Sequence, residues 1–306
     1  MAEYTFKQFQ AEYPNDGACL KQIMEIQYGG EETDCPVCDK RMQFHPMTKR
    51  RAYACQGCGH HIYPAAGTIF HKSRTKLTIW FFAMYLLTST RHGVAAKEIQ
   101  RQTGVTYKCA WRICHELRKL MASADARGPI GGDGRHVEAD ETLVGGAVRK
   151  RGPGQHRARK TVVFGMVERD GRLRAGPVPD ESTFTLEPII LENVAKGTTI
   201  TTDGHAAYKG LRHSYTHEAV NHDAKEYVRG IHHTNTIEGH WSLLKRAIKG
   251  THVHISSKHA WKYIAEFSYR RNMRHSHTAM FNLLVHAFSC ACFFTAPFSR
   301  DVKSSR

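Results

Sequence analysis

Two short cysteine pairs constrain this chain more than any other feature. Cys35-Pro36-Val37-Cys38 and Cys55-Gln56-Gly57-Cys58 lie sixteen residues apart, a spacing that suits a four-cysteine zinc site. Each pair supplies two thiolates, and a hairpin between them closes the tetrahedron around the ion. The intervening residues fit that hairpin: Met42 to Phe44 and Arg51 to Ala54 alternate as strands do. Residues 35–70 are therefore predicted to form a zinc ribbon with Cys35, Cys38, Cys55 and Cys58 as ligands. Four cysteines fill the shell, so the Zn2+ is expected to be structural, and His45, His60 and His61 are not needed. A redox pair is the alternative reading of a CxxC. The remaining cysteines (Cys19, Cys109, Cys114, Cys290, Cys292) read as buried or free thiols, since few disulfides persist inside cells.

Around the ribbon the chain reads as helix. Residues 1–34 carry apolar side chains at helical spacing, broken at Pro14-Asn15-Asp16-Gly17, and are predicted to be a short helical leader. In residues 75–126, KLTIWFFAMYLLTS is apolar enough to be largely buried. A short helix over Ala95 to Gln102, a turn at Gly104 and a helix capped by Thr106 and running to about Ala124 follow. Helix, glycine turn, helix is the helix-turn-helix pattern. The second helix is expected to bury Ala110, Trp111, Cys114 and Leu117 and to expose Lys108, Arg112, Arg118 and Lys119. Lys108 and Arg112 are the candidate DNA contacts, because the first residues of a recognition helix meet base edges. A small bundle with an ordinary charged face would read the same way.

Charge narrows the partner. The chain has 44 Lys and Arg against 28 Asp and Glu, a formal +16 with a pI near 9.5, spread along its length. That balance favours a polyanion. No apolar run reaches membrane-spanning length and the N-terminus lacks a signal-peptide layout, so a cytoplasmic, nucleoid-associated protein with no membrane partner is expected.

After a glycine-rich break at 128–134, His136 to Thr142 alternates as a strand. Residues 145–160 form a basic, glycine-containing loop in which Arg149, Lys150 and Arg151 are candidate contacts to a phosphate backbone. Residues 160–168 and 172–178 read as a hairpin turning at Asp170-Gly171. A helix over 184–194, a strand over 198–202 delivering Asp203, a short helix through Tyr208 and a weak strand near Ala219 come next. The stretch HTNTIEGHWSLLK, residues 233–245, is then a helix with Asn235, Glu238, Trp241 and Lys245 on one face and Leu243 and Leu244 toward a core. Asp140, Asp203 and Glu238 thus come from separate elements and converge at strand ends. An Asp inside a strand runs against propensity. Three such carboxylates suit two Mg2+ or Mn2+ ions about 3.5–4 Å apart, the arrangement used in phosphodiester chemistry.

VEADET, TTDGHAAY and HTNTIEGHWSLLKRAIKGTHVHIS, followed by YIAEFSYRRNMR, resemble the DDE transposases of a bacterial insertion-sequence family. The resemblance runs from about Phe6 to Phe281. It implies an α/β (α+β) fold, a ribonuclease-H-like mixed sheet flanked by helices over residues 133–285, behind the zinc ribbon and helix-turn-helix-like region, with a C-terminal tail at 286–306. It implies Asp140, Asp203 and Glu238 as the metal-binding triad and Lys245 as a contact near the cleaved phosphate. The third position is Glu or Asn in different members, so Asn235 stands beside Glu238, which holds a hard cation better. Glu266, Arg270 and Arg271 match a further motif, with Arg270 and Arg271 as DNA contacts; an i,i+4 surface pair is their plain reading. The implied activity is cleavage at terminal inverted repeats and transfer of the 3′-hydroxyl to target double-stranded DNA, by at least a dimer on DNA. The alternative is a zinc-ribbon/helix-turn-helix regulator derived from an inactive transposase.

Overall fold

The computed structural model describes residues 4–90, 92–125, 128–145, 160–220, 228–290 and 298. The chain divides into two units, one of residues 1–124 and 275–294 and one of residues 125–274 and 295–306.

In the first unit the leader is two helices, α1 (Phe6–Glu12) and α2 (Asp16–Tyr28). Thr5 and Gln8 form a reciprocal capping box on α1, Asn15 caps α2, and Gly29 ends α2 in the left-handed conformation. The ribbon follows as an antiparallel meander of β1 (Glu32–Cys35), β2 (Lys40–Pro46), β3 (Tyr53–Cys55) and β4 (His61–Ile62). The strands flanking the expected hairpin carry no apolar alternation to predict them: β1 is the polar stretch Glu32-Thr33-Asp34 ending at Cys35, and β4 is only two residues long. Arg51, between β2 and β3, ties the ribbon to its surroundings by donating to the carbonyls of Ser73 and Thr75 and to Asp16. Asp16 in turn accepts from the N–H and hydroxyl of Thr78. Leader, ribbon and helices, predicted as successive domains, are therefore joined in one unit.

The expected helices are α3 (Leu77–Ser89), α4 (Ala96–Thr103) and α5 (Tyr107–Ala124). Gly104 closes α4 at φ 72°, and the Thr106 hydroxyl accepts from the N–H of Cys109 at the start of α5. Ala110, Cys114 and Leu117 are buried as expected, but Arg118 is only 1% exposed. The expectation that α5 exposes it is corrected: its neighbours on the helix, Cys114 and Leu117, draw it into the buried face. The last helix, α9 (His277–His286), packs against α3 and α5, and Phe281 stacks on Tyr4 with ring centres 5.0 Å apart. The boundary thus falls at residue 274, earlier than the predicted end at 285.

The second unit is built on a five-stranded sheet. In chain order come β5 (Ile130–Gly131), β6 (His136–Val144), β7 (Thr161–Glu168), β8 (Leu173–Val178), α6 (Thr183–Asn193), β9 (Val194–Ala195), β10 (Thr199–Asp203), a 3₁₀ helix (Ala206–His213) and β11 (Thr216–Val220). Helices α7 (Asn235–Ala247) and α8 (Ser257–Asn272) complete it. Spatial order is β11-β10-β6-β7-β8, with β6, β7 and β8 antiparallel and β10 and β11 running parallel to β6. This is the ribonuclease-H-like mixed sheet. Asp170 turns the β7–β8 hairpin at φ 56°.

Period-two alternation gives the sheet two apolar faces. Val137 and Ala139 of β6, Phe164 and Met166 of β7 and Ile200 of β10 pack under Leu186, Ile189 and Ile190 of α6 and Tyr208 and Leu211 of the 3₁₀ helix. On the other face Val144, Val163, Val167 and Ala175 meet Ile237, Trp241 and Leu244 of α7 and Ile264 of α8. Leu244 is in this core, whereas Leu243, expected beside it, is 41% exposed; successive helical residues point about 100° apart, so only one of the two faces the sheet. Among the described residues no helix is long and apolar enough to cross a membrane.

Candidate active site and zinc cluster

The four cysteines of the ribbon converge as the spacing predicted. Their Sγ atoms all lie within 4.8 Å of one another, with Cys35 to Cys58 at 3.6 Å and Cys38 to Cys55 at 3.8 Å. A tetrahedron with zinc–sulfur bonds of about 2.3 Å has edges of about 3.8 Å, so the sulfurs already stand at the corners of a zinc site. Burial opposes ionisation of Cys35, but the N–H groups of Cys38 and Val37 and the neighbouring sulfurs outweigh it and bring its thiol down to about 7. Gly57 leaves room for the second knuckle, since a Cβ there would stand 2.7 Å from the Met42 methyl.

The acidic site begins on β6. Parity sends Glu138 and Asp140 to the α7 side of the sheet and Glu141 to the α6 side, where it accepts from the Tyr208 hydroxyl. Thr199, Ile200 and Thr201 of β10 pair with His136, Val137 and Glu138 of β6. The same register carried two residues on brings Asp203 level with Asp140 and onto the same face. Burial, the Glu141 charge and the Asp203 charge together push Asp140 up to about 7. The N–H of His205 holds Asp203 Oδ1 at 3.0 Å.

Glu138, which sequence reasoning passed over, anchors the helix that brings the third carboxylate. It is fully buried. Its carboxylate accepts from the N–H groups of Thr236 (2.8 Å) and Ile237 (3.1 Å), the Thr236 hydroxyl (2.8 Å) and Arg169 Nε (3.0 Å), with His233 Nδ1 at 3.2 Å. Thr236 and Ile237 open α7, so a strand carboxylate does the work of an N-cap and sits at the positive end of the helix. The signal available in the sequence was parity alone: Glu138 lies two residues before Asp140 in one strand. Further along α7, Trp241 Nε1 donates to Asp140 Oδ2 at 2.9 Å.

Glu238 lies one helical turn before Trp241 on this docked helix, exposed, with the Thr234 hydroxyl donating to its Oε1 at 2.7 Å. Asp140 and Asp203 are thus brought together; Glu238 is brought to the same side of the sheet, but its ligand atoms and theirs do not all fall within 4.8 Å as the sulfurs do. Asn235 and Lys245 are exposed at the two ends of α7. The acids fit divalent cations on their own chemistry: oxygen donors, mutually repelling, with one carboxylate held partly protonated until positive charge is supplied.

The predicted DNA contacts fall in different settings. Lys108 and Arg112 are exposed in the first turns of α5, with the Arg112 guanidinium 5.4 Å from the Trp80 ring and donating to the Ser73 hydroxyl. Arg270 and its partner Glu266 are 11% and 5% exposed, an enclosed pair and not the surface pair that i,i+4 spacing suggests. Arg271 Nε donates to His240 Nε2 at 2.8 Å. Arg149, Lys150 and Arg151 lie outside the described residues, as do most of residues 286–306.

Comparison with known proteins agrees with this layout. Residues 131–272 match the ISXO2-like transposase domain, and residues 14–61 match the transposase zinc-ribbon domain. A protein of Halobacterium salinarum, described as an uncharacterized protein in transposable element ISH50, is 26% identical over 256 residues, covering 78% of this chain and 85% of that one. The chain thus carries a stretch similar to a transposase zinc ribbon, set before one similar to an ISXO2-like transposase domain.

Proposed function

We propose that this protein is an insertion-sequence transposase that cuts DNA at the terminal inverted repeats of its element and joins the freed 3′-hydroxyl to target DNA, using Asp140, Asp203 and Glu238. The observation that carries this reading is that the parallel β6–β10 register, continued two residues past Thr201 and Glu138, brings Asp140 and Asp203 to one level and one face, where burial and the Glu141 and Asp203 charges push the Asp140 carboxyl up to about 7. Two Mg2+ or Mn2+ ions held there would supply Lewis-acid stabilisation of the attacking and leaving oxygens. Water is the first nucleophile and leaves a 3′-hydroxyl, which then attacks a target phosphodiester directly.

The chain's own residues divide the remaining work. Lys245, two turns beyond Glu238 on α7, contacts the strand near the cleaved phosphate. Lys108 and Arg112 read the element ends, and the 149–151 basic cluster holds backbone. Arg270 and Arg271, engaged with Glu266 and His240, act on DNA only through what they leave uncovered. Bringing two ends together takes at least a dimer on DNA, and the nucleoid is where that substrate lies.

The test is cleavage of DNA carrying the gene's own flanks, with Mg2+ or Mn2+, by wild type and by Asp203→Asn. Metal-dependent nicks at the element ends that vanish in the variant are the expected result. Specific binding by a folded, zinc-loaded wild type without any nick would instead identify a DNA-binding regulator.

A further inference from the structure

Trp241 is enclosed, 4% exposed, over a place in the sheet that only glycine could leave open. The register sets Asp140 of β6 opposite Gly165 of β7, and Gly165 opposite Ala175 of β8. Two small residues beside the acid make a shallow trough across the strands. The indole occupies it: a Cβ built on Gly165 would stand 2.4 Å and 2.7 Å from two carbons of the six-membered ring. From that seat the indole N–H reaches Asp140 Oδ2 at 2.9 Å. A buried indole N–H needs an acceptor in any setting; here the acceptor is the strand acid Asp140, and the seat that brings the N–H to it exists only because residue 165 is glycine.

We propose that Trp241 is a positioning residue for Asp140, its N–H fixing one carboxylate oxygen and leaving the other for a divalent cation, with Gly165 as the cradle that seats the ring. The inference rests on the reading of Asp140 and Asp203 as metal ligands. A hydrogen bond to a ligating carboxylate sets its rotamer before the ion arrives, and the loss of such a partner costs tenfold or more in metal affinity. Trp241 also couples α7 to β6, so one side chain orients the acid and, beside Glu138, helps dock the helix that carries Glu238.

The experiment measures Mn2+ binding to the full-length, zinc-loaded protein from the free-ion signal in electron paramagnetic resonance, beside the Mg2+ dependence of nicking. Trp241→Phe keeps an aromatic ring and removes the donor. It is expected to weaken Mn2+ binding about tenfold and raise half-saturating Mg2+ by a similar factor, with the nicking rate recovering at saturating metal. Gly165→Ala, which leaves the indole in place but pushes it off its seat, is expected to do the same. The double variant should be no worse than Trp241→Phe, because the carbons that clash with the new Cβ are gone. Wild-type Mn2+ affinity in a folded Trp241→Phe protein overturns the proposal; should that variant not fold, wild-type affinity in Gly165→Ala overturns it equally. Asp203→Asn separates the two levels. If it too binds Mn2+ as wild type does, the metal-ligand reading falls and takes this one with it; if it loses binding while both other variants keep theirs, only the role of Trp241 is lost.

Discussion

In the ribbon, four sulfurs from residues 35–58 stand within 4.8 Å of one another, at the corners of a tetrahedron. In the second unit the acids come from residues 140, 203 and 238, two on neighbouring strands and one on a helix that a different carboxylate, Glu138, fastens down. The sulfur cluster is held by local turns, with each knuckle folding onto its own N–H groups. The acidic cluster depends on sheet register and on a helix docked from almost a hundred residues away. Soft thiolates packed together make a closed shell whose metal supplies folding energy. Carboxylates spread over three elements leave a looser group, in which like charges raise the cost of ionising Asp140.

The sharpest way to break this contrast is to open the sulfur shell. Cys55→Ser should lose the bound zinc and unfold the ribbon, since structural zinc contributes on the order of 10 kcal/mol to such small folds at neutral pH. Zinc content per chain and protection of residues 35–62 from protease report it. Retention of the five-stranded sheet would show that the two sites draw on separate sources of stability, and its loss would merge them.

A smaller effect tests the helix anchor. Glu138→Ala leaves Arg169 and two N–H groups of α7 without their acceptor and should destabilise the second unit by about 3 kcal/mol. Glu138→Gln keeps part of the bonding and should cost less. Urea midpoints give both values, and equal midpoints for wild type and Glu138→Ala would show that α7 docks without its strand carboxylate.

The smallest effects are slopes with pH, and here two groups of one sheet oppose each other. Burial, then the charges of Arg169 and His232, lower His136 from 6.5 to about 4, against an upward pull from Glu138. The unfolded chain therefore binds a proton that the fold refuses as pH falls from 6.5 to 4, and stability drops. Asp140 moves the other way, from 3.8 to about 7, so the fold keeps a proton that the unfolded chain gives up, and stability drops as pH rises across that range. Each slope is at most about 1.4 kcal/mol per pH unit. Without Mg2+ the wild type should be nearly flat between pH 4 and 6.5. Asp140→Asn should lose stability toward acid and His136→Asn toward neutrality. A sloped wild type with flat variants would refute the assignment.

How much of this was legible beforehand follows from the same contrast. The zinc site needed only spacing, because its ligands are neighbours in sequence and their geometry is local. The strand and helix order of the second unit was legible from alternation and turn residues, and Asp140 stood out as an acid inside a strand. Glu138 did not, because its meaning depends on which helix terminus arrives against it, and no local pattern encodes that. Trp241 read as one face of an amphipathic helix; its seat over Gly165 belongs to strand register. Arg118 and Leu243 went astray for a simpler reason. Charge and hydropathy assign a side chain to water or core only on average, and at the margin of a helix face the tertiary neighbours decide.

The return of the chain to its first unit sets an order in time. A ribosome that has added Asn272 has synthesised every strand of the five-stranded sheet and helices α6, α7 and α8. It has not yet added Met280, Phe281, Leu284 and Val285, buried side chains of α9, which packs against α3 and α5. The unit begun first thus gains its last helix only after every strand of the second has been made. A chain stopped at residue 272 would carry the whole five-stranded sheet and yet leave uncovered the faces of α3 and α5 against which α9 packs.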